Sequence, residues 1–251
     1  MVNKFELYFT PAGENRRIHL YLPDDYDYTD ERYPVLYMFD GHNLYFDSDA
    51  TFGKSLGMKE FLDHWHKKLI VVGIECSDKD LQRVEEYCPY PVYSPFYGEL
   101  RDLGVQTMDW ICYELKPWVD SHLRTWPHRE ATAIAGYSMG GLMTVFAILR
   151  YNHIFSKAAA ISPSVNRTMD QFKHEMETHE YNPDTRLFFS WGTDEYEKSE
   201  NDYIEQCIRT LEQQAMDKGI RTYLYCQPGG HHNEGSWQYQ VPTWMDFMWF
   251  M

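Results

Sequence analysis

Basic residues are scarce in this chain of 251: 23 Lys and Arg stand against 38 Asp and Glu, a formal net charge of −15. A surface of that sign repels phosphate backbones and anionic headgroups, so neither nucleic acid nor an anionic membrane is an expected partner. Cysteine is nearly as sparse. The five residues Cys76, Cys88, Cys112, Cys207 and Cys226 are odd in number and form no C-x-x-C. That spacing argues against a disulfide framework or a zinc site, and it suits a reducing compartment. Charge, Pro or Gly interrupts every apolar stretch before it reaches the length of a membrane span. The opening residues Met1 to Glu6 show no basic patch followed by an apolar core, so no signal peptide is read and a cytoplasmic setting is expected. Repeats and low-complexity tracts are absent too. What remains is an ordinary 43% hydrophobic content over a length that fits one α/β domain spanning 1–251.

Within that frame the pattern alternates. Apolar or period-2 runs predict strands at Phe5–Phe9, Arg16–Leu22, Pro34–Phe39, Leu69–Ile74, Ala131–Ala135, Ala158–Ile161, Leu187–Trp191 and Thr222–Cys226. Helical faces fall between them: Val105, Met108, Cys112, Leu115 and Val119 define one, and Ile204, Cys207, Ile208, Leu211 and Ala215 another. Strands alternating with helices imply a mostly parallel sheet of about eight strands with helices on both faces. Two stretches break the alternation. One is a Tyr/Pro-rich loop near 85–103; the other is a polar, mostly helical insert near 166–185, with Phe172 and Met176 as anchors. Each follows a strand's C-terminal end, where open α/β sheets bind ligands, so both are expected to wall a cleft.

The chemistry starts at Gly136-Tyr137-Ser138-Met139-Gly140. A Gly-x-Ser-x-Gly string alone matches by chance in roughly one chain in ten of this length. Here an apolar run precedes it, and Leu142, Val145, Phe146 and Leu149 follow at the spacing of one helix face. Strand, serine turn, helix is the setting of a nucleophile elbow in an α/β-hydrolase. Such a serine needs a base and an acid, in the order Ser, acid, His along the chain. After the last strand, Gly229-Gly230-His231-His232-Asn233-Glu234 offers two imidazoles, of which one can reach the serine. After the preceding strand, Gly192-Thr193-Asp194-Glu195 offers two carboxylates. The loop Asp40-Gly41-His42-Asn43 is placed to give the His42 backbone N–H, which would join that of Met139 as an oxyanion hole. Adjacent histidines rarely chelate one ion, and no matching ligand set stands out, so neither metal nor other cofactor is expected.

Four segments together resemble an esterase family that includes esterase D, enterochelin esterases and family 1 carbohydrate esterases. They are Tyr33 to Asn43 (Y-P-V-L-Y-x-x-D-G-Q-N in the family, with His42 here for Gln), Arg83 to Pro89 (R-x-x-E-Y-x-P), Gly136 to Gly141, and Gly230 to Trp237 (G-x-H-N-E-x-x-W). The resemblance implies a serine carboxylic-ester hydrolase without cofactor. It points to His232 as the base and, three residues after Gly192, to Glu195 as the acid, with Asp194 the alternative. Tyr137 and Tyr87 are then expected substrate contacts. Family substrates range from acetylated or feruloylated saccharides to siderophore lactones and thioesters. Esters of carbohydrates are the expected class, a siderophore-lactone esterase or thioesterase the alternative, and a catalytically silent binding module the non-enzyme reading. An oligomeric state is not legible.

Overall fold

The computed structural model describes residues 1–79, 81–94 and 98–250. In chain order the strands are β1 (Val2–Phe9), β2 (Glu14–Tyr21), β3 (Val35–Phe39), β4 (Ile70–Ile74), β5 (Val92–Ser94), β6 (Gly98–Leu100), β7 (Thr132–Tyr137), β8 (Lys157–Ile161), β9 (Arg186–Gly192) and β10 (Arg221–Gln227). Eight of them form one sheet in the order β1-β2-β4-β3-β7-β8-β9-β10, and β5 pairs with β6 apart from it. β1, β2 and β4 run antiparallel; from β4 to β10 every pairing is parallel. All eight strands of the main sheet fall where the apolar runs predict them, and their ends shift by a few residues.

Period-2 alternation sorts the side chains into two cores. Val35, Tyr37 and Phe39 of β3 join Ile70, Val72 and Ile134 on one face, whereas Leu36, Met38, Val71, Ala133 and Ala135 point to the other. The helices are α1 (Met58–His64), α2 (Gln82–Glu86), α3 (Gly104–Trp110), α4 (Lys116–His122), α5 (Met139–Arg150), α6 (Met169–Thr178), α7 (Lys198–Asp217), α8 (Glu234–Trp237) and α9 (Val241–Trp249). α3 to α7 cover the first face; α1, α8 and α9 cover the second with Met58, Leu62, Trp237, Trp244 and Met248. A π-helical turn, Ile111–Leu115, joins α3 to α4, so the single apolar stripe from Met108 to Val119 stays against the sheet through the junction.

Apart from 95–97, which lie outside the described residues, the two irregular segments hold regular structure that their composition does not announce. The 85–103 stretch holds the end of α2 and the β5/β6 pair, whose strands of three residues are too short to leave a periodic signal. In the 166–185 stretch, α6 seats Phe172 and Met176 in the core as anchors. The sheet also sets where a site can form. β3 connects outward to β4, but the chain later returns to place β7 on its other side. The loops leaving β3 and β7 therefore part at a topological switch point, which opens a crevice at the strands' C-terminal ends.

Candidate active site

Ser138 sits at the crevice floor with φ 56° and ψ −123°, between β7 and α5. A left-handed φ is costly for a residue with a Cβ, and surrounding bonds must hold it. They do so from both sides. The Ser138 N–H donates to the Ile161 carbonyl at 3.0 Å, and the Ser138 carbonyl accepts from Leu142 and Ser164, each at 3.1 Å. The turn closes only without a side chain at Gly136, where a Cβ would lie 2.5 Å from the Gly140 carbonyl oxygen.

The candidates for base and acid arrive on the loops after β10 and β9. These two loops stay in register beyond the sheet: Thr193 donates to the Gln227 carbonyl at 3.1 Å and Asp194 to that of Gly230 at 3.0 Å. A Cβ on Gly192 would stand 2.2 Å from the Gly230 oxygen, so the approach requires glycine. The result is a continuous line of polar atoms. His232 Nε2 lies 2.9 Å from Ser138 Oγ, and its Nδ1 lies 2.9 Å from Glu195 Oε2. Glu195, all but sealed from solvent, accepts at Oε1 from the Gly192 N–H (2.7 Å) and the Ser162 hydroxyl (2.5 Å). Ser162 in turn accepts from the Trp237 indole at 2.9 Å. With Nδ1 donating to the carboxylate, Nε2 is left as an acceptor facing the serine hydroxyl. Trp237 fixes the ring edge-on, centroids 4.9 Å apart, and the Tyr196 hydroxyl lies 3.1 Å from Nδ1.

The neighbouring pair stands outside this line. His231 Nδ1 donates to the Asp194 carbonyl at 2.9 Å, and the Asp194 carboxylate accepts from Thr193. The structure thus brings together Ser138, His232 and Glu195, and it leaves His231 and Asp194 at the rim.

Met139 opens α5, and His42 lies in the 3-10 turn Gly41–Asn43 after β3. Among the described residues neither backbone N–H donates to a backbone acceptor. The His42 ring lines the cleft and contacts Thr51 Oγ1 at 2.9 Å through Nε2; burial lowers its pKa, so it is neutral at pH 7. Asp40 begins this turn in a left-handed conformation (φ 56°), fully buried. Burial raises its pKa, but the Arg83 guanidinium, bidentate at 2.8 Å on both oxygens, outweighs that and leaves it below the ordinary carboxylate range. Asp40, His42 and Cys76 have ligand atoms within 4.8 Å of one another. A cation does not fit them. Arg83 already occupies the carboxylate, and burial raises the Cys76 thiol pKa far above its usual value.

Ser138 itself lines one cavity, and its neighbour Met139 lines a second. The first, about 690 Å³, lies on the His42 side and is lined by Ser138, His232, Tyr137, Arg83, Glu234 and the exposed Phe52, among others. The other, about 390 Å³, is lined by Val92 and Leu100 of the 85–103 segment, Asn166 to Thr168 of the other insert, and Met139, Leu142 and Tyr196. Both inserts thus border this second cavity. Tyr137 lines the larger cavity, though its hydroxyl accepts from Asn43. Tyr87 requires a correction: it is 2% exposed and lines neither cavity, and its hydroxyl accepts the Asp40 N–H at 3.2 Å. It props the β3 turn from behind because α2 docks against that turn. Sequence reasoning missed Arg83, Ser162, Asn43 and Glu234 as parts of the site. The D-G-x-N and R-x-x-E-Y motifs held two of these, Asn43 and Arg83, but nothing linear pairs Asp40 with Arg83.

Among the described residues no helix is long and apolar enough to cross a membrane. The sheet order, its switch point and the strained serine turn define an α/β-hydrolase. Residues 10–247 match the model of the family described as "Putative esterase", and the chain belongs to that family. It is similar to uncharacterized protein YbbA of Bacillus subtilis (strain 168), with 26% identity over 217 residues, 84% of this chain and 82% of that one. Among solved structures it resembles an IroE-like serine hydrolase from Shewanella oneidensis (TM-score 0.78, 20% identity, 98% of this chain and 81% of that one). It also resembles the enterobactin esterase FES from Shigella flexneri (TM-score 0.75, 16% identity, 99% of this chain and 58% of that one). By family the chain is an esterase-type hydrolase.

Proposed function

We propose that this protein is a serine carboxylic-ester hydrolase working through an acyl-enzyme. The observation that carries the reading is the unbroken line Ser138–His232–Glu195, with both contacts at 2.9 Å. Ser138 Oγ attacks the ester carbonyl while His232 Nε2 takes its proton; Glu195 holds the tautomer and stabilises the imidazolium. The tetrahedral oxyanion accepts from the N–H groups of Met139 and His42. Collapse expels the alcohol, which takes the proton from Nε2. Water, activated by the same imidazole, then releases the acid and restores the serine. No cofactor is needed for these steps.

For substrate we propose acetyl or feruloyl esters of carbohydrates. Supporting this are a cavity lined by Ser138 that carries the exposed aromatic ring of Phe52 on its wall, and a second cavity beside it lined by Val92, Leu100, Met139 and Leu142. The −15 charge also disfavours polyanionic esters. The test has two parts. Ser138→Ala should lower kcat by roughly 10⁴ to 10⁶ with the fold intact, and a fluorophosphonate should label the wild type at Ser138. A panel of acetyl, feruloyl, catecholate-lactone and thioester substrates then reads the class. Labelling elsewhere, or a variant keeping more than about a tenth of activity, rejects the mechanism; fastest turnover of the lactone or thioester rejects the substrate.

A further inference from the structure

Four loops carry the proposed machinery, and one buried side chain on the turn after β3 touches a residue beside Ser138 and another beside His232. Asn43, the residue after His42, is 5% exposed. Its Nδ2 donates to the Tyr137 hydroxyl at 2.8 Å and to Glu234 Oε1 at 3.3 Å; its Oδ1 accepts the Thr51 N–H at 2.9 Å. Tyr137 immediately precedes Ser138, and Glu234 follows His232 by two residues. Both partners are themselves immobilised: Tyr137 stacks on Trp237 with centroids 4.4 Å apart, and Glu234, 5% exposed, opens α8. A buried carboxylate and a buried hydroxyl sharing one amide are costly to leave unmatched, so the amide's polarity is specified by its surroundings.

Resting on the proposed esterase reading, we infer that Asn43 is a positioning residue whose amide braces the oxyanion turn against the serine turn and the base loop. Asn43 borders the larger cavity, but its amide is taken up by Tyr137, Glu234 and Thr51 and bonds to none of the reacting atoms. It sets the separation between the His42 N–H and Ser138 Oγ, on which transition-state stabilisation depends, because misplacement of about 1 Å can cost a hundredfold in rate.

The inference is tested by reversing the polarity of one contact. Asn43→Asp keeps the shape but sets a second carboxylate against that of Glu234. Two carboxyls at this distance cannot both ionise cheaply, so one retains a proton into higher pH. Other charged groups facing the pair are Asp40, Arg83 and His232, whose charges also act on Glu234. Relative to wild type, Asn43→Asp should lose about tenfold or more in kcat at pH 8 with KM within about twofold. The kcat ratio should recover as pH falls, since a protonated carboxyl again donates across the pair. The double variant Asn43→Asp, Glu234→Gln reverses the donor and acceptor and should restore most of the loss at pH 8.

A merely structural Asn43 would lower Tm in the single variant while leaving kcat per fluorophosphonate-labelled site unchanged. That result, or a double variant no better than the single, overturns the inference. Failure of the esterase reading itself looks different: wild type would then show neither turnover nor labelling at Ser138.

Discussion

At the scale of single residues, two neighbouring pairs divide sharply. His232 and His231 differ by one position, yet one faces Ser138 and the other a backbone carbonyl. Members of a catalytic set fail together. His232→Ala should therefore cost about as much kcat as Ser138→Ala, and His231→Ala far less, measured as initial rates on p-nitrophenyl acetate. A reversed order would move the base by one residue. The carboxylates offer the parallel case. Glu195→Gln keeps volume but loses the charge that orients Nδ1, and a comparable change elsewhere has cost about 10⁴ in kcat. Asp194→Asn, at the rim, should stay within about tenfold of wild type, since among the described residues its carboxylate hydrogen-bonds only Thr193. A crippled Asp194→Asn alongside an active Glu195→Gln would reassign the acid.

The elements around the site come together through a few backbone contacts and the ion pair of Arg83 with the buried Asp40. The α2 helix reaches the turn after β3 by way of Arg83 and Asp40, the latter's side chain 1% exposed. Removing one partner of a buried pair strands the other charge, at about 3–5 kcal/mol. For a chain of this size that lowers Tm by about 6–20 °C. Arg83→Met should show that loss by thermal melting, and adding Asp40→Asn should recover part of it by removing the stranded charge. An unchanged melt for Arg83→Met would show that solvent reaches Asp40. The loops after β9 and β10 depend on a different feature, the backbone contact between Gly192 and Gly230. Gly192→Ala places a Cβ 2.2 Å from a carbonyl oxygen, so something must shift. The expected reading is a kcat loss larger than that of Gly219→Ala, whose position is open though its φ of 81° strains any side chain. Equal effects would mean the two loops can part without harm to the line from Glu195 to Ser138.

Over the whole molecule, the excess of acidic side chains sets a long-range field. Esters bearing several negative charges should react slowly at low ionic strength, and their kcat/KM should rise with added salt as the field is screened. Neutral acetyl or feruloyl esters should barely respond. A polyanionic ester that slows as salt is added would mean that cations in the cleft override the global charge.

The sequence alone determined the layered sheet, its eight strands and the strand–serine–helix turn, because each rests on local periodicity or on glycines at fixed spacing. It also narrowed the candidate base and acid to adjacent pairs on two loops, those that the structure brings beside Ser138. Choosing within each pair from linear features needed the family resemblance, since neighbouring side chains on a loop point in different directions and only packing decides which one faces inward. The tertiary structure alone decided the rest: Tyr87 turned away from the cleft, Arg83 joined to Asp40, Ser162 and Trp237 placed behind Glu195, and Asn43 set between Tyr137 and Glu234. Those contacts join positions 33 to 191 residues apart, and no local propensity encodes a distance of that kind. They exist because a parallel sheet gathers the C-terminal ends of its strands, and the loops that follow them, along one edge.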